Sequence, residues 1–552
     1  MYKNNEINVR PDKDRLINLL NDVKKGKIVV PKFQRDIVWN VKQRLDLFDS
    51  ISKGFPIGSL LFWNPEKDDF GFNKKIGPYT LDLNTKKYSY IIDGYQRITT
   101  LFSALNNPLE YVKNKVDQTI LDEYIVYYSL EDEEFFHLIK TRNKNNISVS
   151  NIPLYVLVDT FEFLTFTKKI QEEFDETISN LYINRAKKLA TALLDYEVAF
   201  VNIHGGSIQD AVEIFSRINS KGSDMSPMWM LSALTYKDGK NGFKFSDEIE
   251  DLKIDLEEFN FEDIKTEILL QCIRSSTGKL YIDTKTETLA KSKNFKNLAL
   301  KTFENIYQAV DFLYHRTNVL NINILPYNLQ LIFITEFFRL VDNPSEEKLN
   351  ELERWFWQTT YASYFSIYSL SKQRKAFAKF QRFCRGEELE AIYKANDNEV
   401  FEAVEFPSKM NYGSVRSKAL GLFMIKTLIE KTEIDDYDFD DFLSLSKHDK
   451  DFVLLFPKFE SQTYETEFRA LTRSKKIKDY SFILNGKTLN FDYQANFINN
   501  SILDCKNDID KIKRLRYSLI AASESKFVES LDINYNGTDR YDENNDGQVI
   551  LF

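Results

Sequence analysis

Residues 88–105 read Tyr-Ser-Tyr-Ile-Ile-Asp-Gly-Tyr-Gln-Arg-Ile-Thr-Thr-Leu-Phe-Ser-Ala-Leu and gather several chemically useful side chains in one short run. Asp93 can hold a metal ion or act as a base, Arg97 can neutralise a phosphate, Gln96 brings an amide, and Thr99 or Thr100 brings hydroxyls. The run opens β-branched and aromatic and closes with Leu101, Ala104 and Leu105 at helical spacing, so Asp93-Gly94 must be the turn between a strand and a helix. An anion suits that turn. The first N–H groups of a helix point outward at the positive end of its dipole, and Gly94 lets the backbone approach a phosphate closely. The same residues also suit a plain corner capped by Asp93.

The elements that must position this turn are legible around it. A helix is expected over residues 13–25, with Leu16, Leu19, Leu20 and Val23 as its apolar stripe and Gly26 as its stop. Residues 28–39 form a strand interrupted by Pro31, which puts Gln34 and Arg35 on an irregular loop between Phe33 and Trp39. That loop either holds an amide and a guanidinium over a ligand or is a packed corner. Asn40 and Gln43 have capping-box spacing for a helix that carries Leu45, Phe48 and Ile51 inward to Gly54. Residues 57–63 read as a buried strand, 124–128 as another, 154–164 and 170–194 as helices, and 197–203 as an alternating strand. The polar residues 140–150 read as an exposed loop. Ser207 and Asp210 cap a further helix that ends in Arg217 and Asn219 before Gly222, where Arg217 also suits the negative end of the dipole. One more helix follows over 228–236.

Composition narrows the function classes. With 552 residues, 43% hydrophobic and 28% charged, the chain has core enough for two to four domains. No apolar run reaches membrane-spanning length and the first residues lack a signal-peptide pattern, so a cytoplasmic protein without a membrane partner is expected. Cys272, Cys384 and Cys505 fit buried thiols in a reducing compartment, and the four scattered histidines make a protein-only zinc site unexpected. A net charge of −9 argues against a uniformly basic nucleic-acid coat but permits a local basic strip.

Four blocks, Phe33-Gln-Arg-Asp-Ile-Val-Trp39, Gly54-Phe-Pro-Ile-Gly58, Ile92-Asp-Gly-Tyr-Gln-Arg-Ile-Thr-Thr-Leu101 and Glu213-Ile-Phe-Ser-Arg-Ile-Asn-Ser-Lys-Gly222, come in an order that resembles one family. It is the GmrSD-type, ParB/sulfiredoxin-like family catalogued as domain of unknown function number 262, and the resemblance covers roughly residues 10–240. The family's central motif is Asp-Gly-Gln-Gln-Arg, and Tyr95 here replaces the first Gln. The resemblance implies a nucleotide-binding, often nucleotide-hydrolysing domain of bacterial systems that restrict modified phage DNA. It places Gln34, Arg35, Asp93, Gly94, Gln96, Arg97, Arg217 and Asn219 around one pocket. With Thr99, these residues would bind a nucleoside triphosphate of unspecified base and Mg²⁺, Asp93 on the metal or water and Arg97 and Arg35 on phosphates.

The expected architecture is α+β, with a small-sheet ParB/sulfiredoxin-like domain over 1–240, a helical domain over 241–440, a C-terminal helical domain over 441–533 and a mobile tail over 534–552. In the second half, residues 352–365 carry Trp355, Phe356 and Trp357 as core. Residues 372–385 place Lys372, Lys375, Lys379 and Arg382 on one helical face, as a DNA backbone reader or any solvated amphipathic helix would. A second basic run, 506–516, is broken by Asp508 and Asp510. Residues 443–499 resemble the relatives' His-Asn-His nuclease segment without its histidine cluster, with only His448 nearby and Asn485 and Asn496 at asparagine positions. That resemblance implies a degenerate nuclease; an alternative to a nucleotide-hydrolysing protein is a non-catalytic nucleotide- or DNA-binding module whose partner supplies the nuclease. The closing helix, 512–531, offers Leu515, Leu519, Phe527 and Leu531 as its apolar face, and Asp542, Asn544 and Asp546 only open a calcium-loop pattern.

Overall fold

The computed structural model describes residues 7–34, 39–66, 71–81, 87–108, 124–137, 148–219, 227–236, 243–280, 289–290, 294–396, 398–407, 413–432, 452–454, 469–471, 493–505 and 508–535. The chain divides into two compact units, Met1–Ser246 with Thr286–Lys291, and Asp247–Lys285 with Ser292–Phe552. Together they are an α+β protein, with the main sheet in the first unit and helices dominating the second.

The first unit is built on a six-stranded sheet. Its strands are β1 (Asn8–Arg15), β2 (Ile28–Pro31), β3 (Leu60–Asn64), β4 (Phe72–Asn73), β7 (Ser89–Asp93) and β11 (Glu197–His204), in the order β1-β11-β3-β7-β2-β4. A small hairpin, β5 (Lys75–Ile76) with β6 (Tyr79–Thr80), and a three-stranded sheet, β8 (Tyr127–Ser129), β9 (Phe135–Phe136) and β10 (Asn151–Pro153), complete the β structure. The helices are α1 (Leu16–Lys24), α2 (Val41–Ser52), α3 (Tyr95–Leu105), α4 (Leu154–Val158), α5 (Thr160–Glu173), α6 (Glu176–Asp195), α7 (Ile208–Asn219) and α8 (Pro227–Thr235). Both predicted capping boxes form: the Gln43 N–H donates to Asn40, and the Ser207 N–H and Oγ donate to Asp210.

Three local expectations change. Residues 13–15 belong to β1, not to the first helix; β1 is an exposed edge strand with no apolar alternation, so periodicity could not announce it. The single helix expected over 154–164 breaks at Asp159, whose carboxylate accepts from the Phe161 and Glu162 N–H groups and starts α5 afresh. The loop expected over 140–150 lies mostly outside the described residues, and its last residue, Ser150, is buried.

The second unit carries α9 (Phe245–Asp255, beginning at its boundary), α10 (Thr266–Ser275), α11 (Phe295–Thr317), α12 (Asn328–Leu340), α13 (Glu346–Tyr361), α14 (Tyr364–Ile367), α15 (Leu370–Arg385), α16 (Val415–Thr432), α17 (Asn500–Asp504) and α18 (Ile509–Glu529). Phe333 of α12 stacks on Trp355 at 5.3 Å and meets Phe377 and Phe380 edge-on, so the aromatic block is core as expected. Cys272 and Cys384 are buried thiols, and Cys505 is half-buried. Burial raises the Cys272 thiol to about 12.

The closing helix keeps part of the expected apolar face, with Leu531 buried just past its end and Phe527 packed against Trp357, Tyr361 and Phe423, but its inward face is centred elsewhere. Ile512, Arg516, Tyr517, Ile520, Glu524 and Val528 face inward, while Leu515, Leu519 and Phe527 are only half-buried. Arg516 is fully buried and donates to the Asn496 carbonyl, so it is no surface cation. Glu524 is buried with four donors around its two oxygens: both Arg416 terminal nitrogens at 2.7 Å, Tyr361 at 3.0 Å and Tyr535 at 2.9 Å. Residues 533–535, part of which was expected in a mobile tail, form β15 (Ile533–Tyr535), paired in parallel with β12 (Phe401–Ala403). The rest of that tail, including Asp542, Asn544 and Asp546, lies outside the described residues, as do His448 and Asn485. A short antiparallel pair, β13 (Phe452–Leu454) with β14 (Arg469–Leu471), is described within 443–499.

Candidate functional site

The site grows from the junction of β7 and α3. Strand β7 runs between β3 and β2 and delivers Asp93 at its end. Gly94 follows with φ +88°, where a β-carbon would collide with Leu60 Cδ2, so this position needs glycine on both conformational and steric grounds. The first helical bond of α3 runs from the Ile98 N–H to the Gly94 carbonyl, so the N–H groups of residues 95–97 precede the helical ladder, as an anion cradle requires.

Asp93 and Arg97 are joined there. The Arg97 Nη2 donates to Asp93 Oδ2 at 3.0 Å, and the Gly94 N–H donates to Asp93 Oδ1 at 2.7 Å. Arg97 Nη1 donates to the Ile57 carbonyl at 2.8 Å, and a β-carbon on Gly58 would lie 2.6 Å from that nitrogen. The guanidinium thus lies in a slot between Gly58 and Gly94, with its side chain 14% exposed. Ile57 and Gly58 are site residues that reading the chemistry of side chains missed, because a carbonyl and a missing β-carbon do the work. The signal was present in Gly-Phe-Pro-Ile-Gly, one of the blocks that carry the family resemblance.

Gln96 joins the same corner by accepting from the Trp39 N–H at 3.2 Å, which ties the end of the loop after β2 to α3. Phe33 and Gln34 are buried at that loop's start, where the Gln34 N–H donates to the Pro31 carbonyl. Arg35 lies outside the described residues. Tyr95 is 8% exposed and belongs to the hydrophobic core, so the residue that departs from the family motif faces packing.

Of the other expected site residues, Thr99 faces away from this corner. Thr99 is fully buried, and its methyl lies against Gly77 in the β5–β6 hairpin. At 100° per residue its side chain leaves α3 on nearly the opposite side from Arg97, so it is not at the mouth with the guanidinium. Arg217 is exposed on α7 and pairs with Glu213 at 2.5 Å, one turn earlier, in the manner of an ordinary helical ion pair. The Asn219 side chain lies outside the described residues.

In the second unit, Lys372, Lys375 and Arg382 are exposed on α15, and Lys379 is half-buried. Glu388, just past the helix, holds Lys379 at 2.7 Å and Arg382 at 3.0 Å, and these cations keep its carboxyl below the usual range. Lys372 stands over the Tyr368 ring at 5.0 Å. The basic face therefore exists, but two of its four expected cations already have an anion.

Residues 16–236 match the family described as GmrSD restriction endonuclease, N-terminal domain. This part of the chain is similar to a GmrSD-type N-terminal domain. The match begins with α1 and ends just after α8, so it spans the Asp93–Arg97 corner and every strand of the six-stranded sheet except β1. The chain is also similar to an uncharacterized protein of Methanocaldococcus jannaschii, with 26% identity over 448 residues, 74% of this chain and 72% of that protein. That alignment is longer than the GmrSD-type domain and so runs into the helical half. Among the described residues, no helix is long and apolar enough to cross a membrane, and no three His, Cys, Asp or Glu residues are grouped to hold a metal ion.

Proposed function

We propose that this protein is a restriction-system component whose GmrSD-type domain binds a nucleoside triphosphate at the α3 N-terminus and hydrolyses it. The Asp93–Arg97 pair carries the reading: a carboxylate and a guanidinium fixed on the first turn of a helix whose leading N–H groups suit phosphate. In it, phosphate oxygens take the leading N–H groups and the guanidinium, Gln96 orients the ligand, and Gln34, Arg35, Arg217 and Asn219 complete the surroundings. Mg²⁺ would enter with the nucleotide, and Asp93 is the residue that would hold it. When bound, the ion would neutralise phosphate charge.

The second unit engages DNA in this reading, through the phosphate-facing side of α15, with modified phage DNA as target and a partner nuclease making the cut. A second reading keeps the same pocket as a non-catalytic nucleotide or DNA sensor. It is favoured by Tyr95, which packs in the core where the family motif has a polar glutamine.

Phosphate release from each of the four ribonucleoside triphosphates, with Mg²⁺ and with or without DNA, tests the choice. Turnover that falls at least 100-fold in Arg97→Ala and Asp93→Ala, with the circular dichroism spectrum kept, is expected. Wild-type turnover in both variants removes the assignment. Nucleotide binding without turnover moves the protein to the sensor reading.

A further inference from the structure

Helix α5 is apolar on two sides. At 100° per residue, Phe163, Phe166 and Ile170 lie within about 60° of one another, and this side packs into the core of the first unit. Phe161, Leu164, Thr165 and Lys168 lie on the opposite side and are all exposed, Phe161 by 83% and Leu164 by 59%. One core calls for one apolar stripe, and a second stripe that leaves a phenylalanine almost wholly in water marks an interaction surface. Two more exposed apolar residues, Ile178 and Leu181, begin α6. Residues 174–175 turn α6 back along α5, and Ser179 Oγ donates to the Ile170 carbonyl at 3.1 Å, so the start of α6 lies beside the end of α5.

The charges beside the stripe say what covers it. Along one flank of α5, Glu162 is followed two turns later by Lys169. When two copies of a helix pair antiparallel about a two-fold axis, equivalent flanks face each other with their ends exchanged. Glu162 of each copy then faces Lys169 of the other, and Leu164 meets its own counterpart near the axis. Phe161 reaches the level of Ile170 in the second copy, over the Lys168 stem and beside the start of α6. A parallel pairing would set the charged flank against the opposite one, where Thr160, Thr167 and Gln171 offer no charge.

We propose that the protein associates with a second copy of itself through α5, antiparallel across a two-fold axis, with Leu164 at the centre, Phe161 at both ends and Glu162 paired with Lys169 along one flank. The surface is about as wide as one helix pair, so the dissociation constant should be on the order of 10 µM. The pairing is independent of what the Asp93–Arg97 corner binds.

Sedimentation velocity of the full chain from about 1 to 100 µM tests this. The wild type should pass from monomer to dimer over that range. Phe161→Asp and Leu164→Asp, at exposed positions where the fold tolerates charge, should keep it monomeric with an unchanged circular dichroism spectrum. Glu162→Lys and Lys169→Glu should each weaken self-association about tenfold, because each brings like charges together. Mixed in equal amounts, those two variants should recover association with each other, since each supplies the charge that the other lacks; a purely local effect on folding would not be rescued in this way. A wild type that stays monomeric at about 100 µM overturns the proposal. Dimerisation that survives Leu164→Asp overturns it too, by placing the contact elsewhere. A mixture of the charge variants that associates no better than either one alone overturns the antiparallel arrangement.

Discussion

Arg97 owes its position as much to what is missing around it as to what holds it. Glycine at 58 leaves room for one terminal nitrogen, glycine at 94 for the other, and the guanidinium is then fixed by a carbonyl and a carboxylate. Gly94→Ala should therefore cost about 2 kcal/mol or more in urea unfolding, since alanine must adopt a positive φ and also displace Leu60. Stability equal to wild type would show that the turn can be built another way. His137 offers a separate residue-scale test. Burial, and then the Arg44 charge, lowers its pKa from 6.5 to about 4, so the folded protein resists a proton that the unfolded chain accepts. The associated stability is fully present above pH 6.5 and is lost as pH falls from there through about 4, by roughly 3 kcal/mol in total. Urea midpoints measured across that window should fall with pH in the wild type and fall less in His137→Gln.

At the scale of elements, α15 is a basic helix with a built-in competitor. Glu388 occupies Lys379 and Arg382 as a phosphate would, so Glu388→Gln should release both cations for DNA. The expected result is tighter duplex binding at low salt and a log–log salt slope steeper by up to about 2. An unchanged slope alongside measurable wild-type binding would mean that DNA does not use those two side chains. This helix also shows what the sequence could reveal. The spacing of Lys372, Lys375, Lys379 and Arg382 gave the face, but an acid from the following turn is invisible to a helical wheel. The same holds elsewhere: Asn40–Gln43, Ser207–Asp210 and the Asp93-Gly94 turn were legible because their partners are within a few residues. β1 was not, since an exposed edge strand carries no hydrophobic period. Nor was the inward face of α18, where Arg516 and Glu524 look like surface residues until partners 20 and 108 positions away are known. The Arg97 slot was half legible, its charged residues being evident and its carbonyl and glycine walls not.

Over the whole molecule, each unit is closed by contacts between distant parts of the chain. In the second unit, Glu524 joins α13, α16, α18 and β15 through Tyr361, Arg416 and Tyr535, all buried or half-buried. Its four donors fill the lone-pair directions of the carboxylate, so the pair with Arg416 is satisfied. Glu524→Gln would leave Arg416 buried with its charge unmatched, and about 3–5 kcal/mol of stability should be lost in chemical denaturation. Adding Arg416→Met should restore a large part of that loss; a double variant no more stable than the single one would show that the ion pair is not the source. In the first unit, β1 pairs with β11 from Asn8↔His204 to Arg15↔Glu197. On the ribosome, β1 therefore emerges long before its sheet neighbour has been synthesised, and at some 5–20 residues per second the delay is on the order of ten seconds or more. Through that interval an extended segment with open N–H and C=O groups could recruit other nascent chains. The sequence Asn-Val-Arg-Pro-Asp-Lys-Asp-Arg makes a poor template for them, because proline interrupts the row of donors and the charges repel stacking. The features that hid β1 from pattern reading are the ones that let it wait unpaired without aggregating.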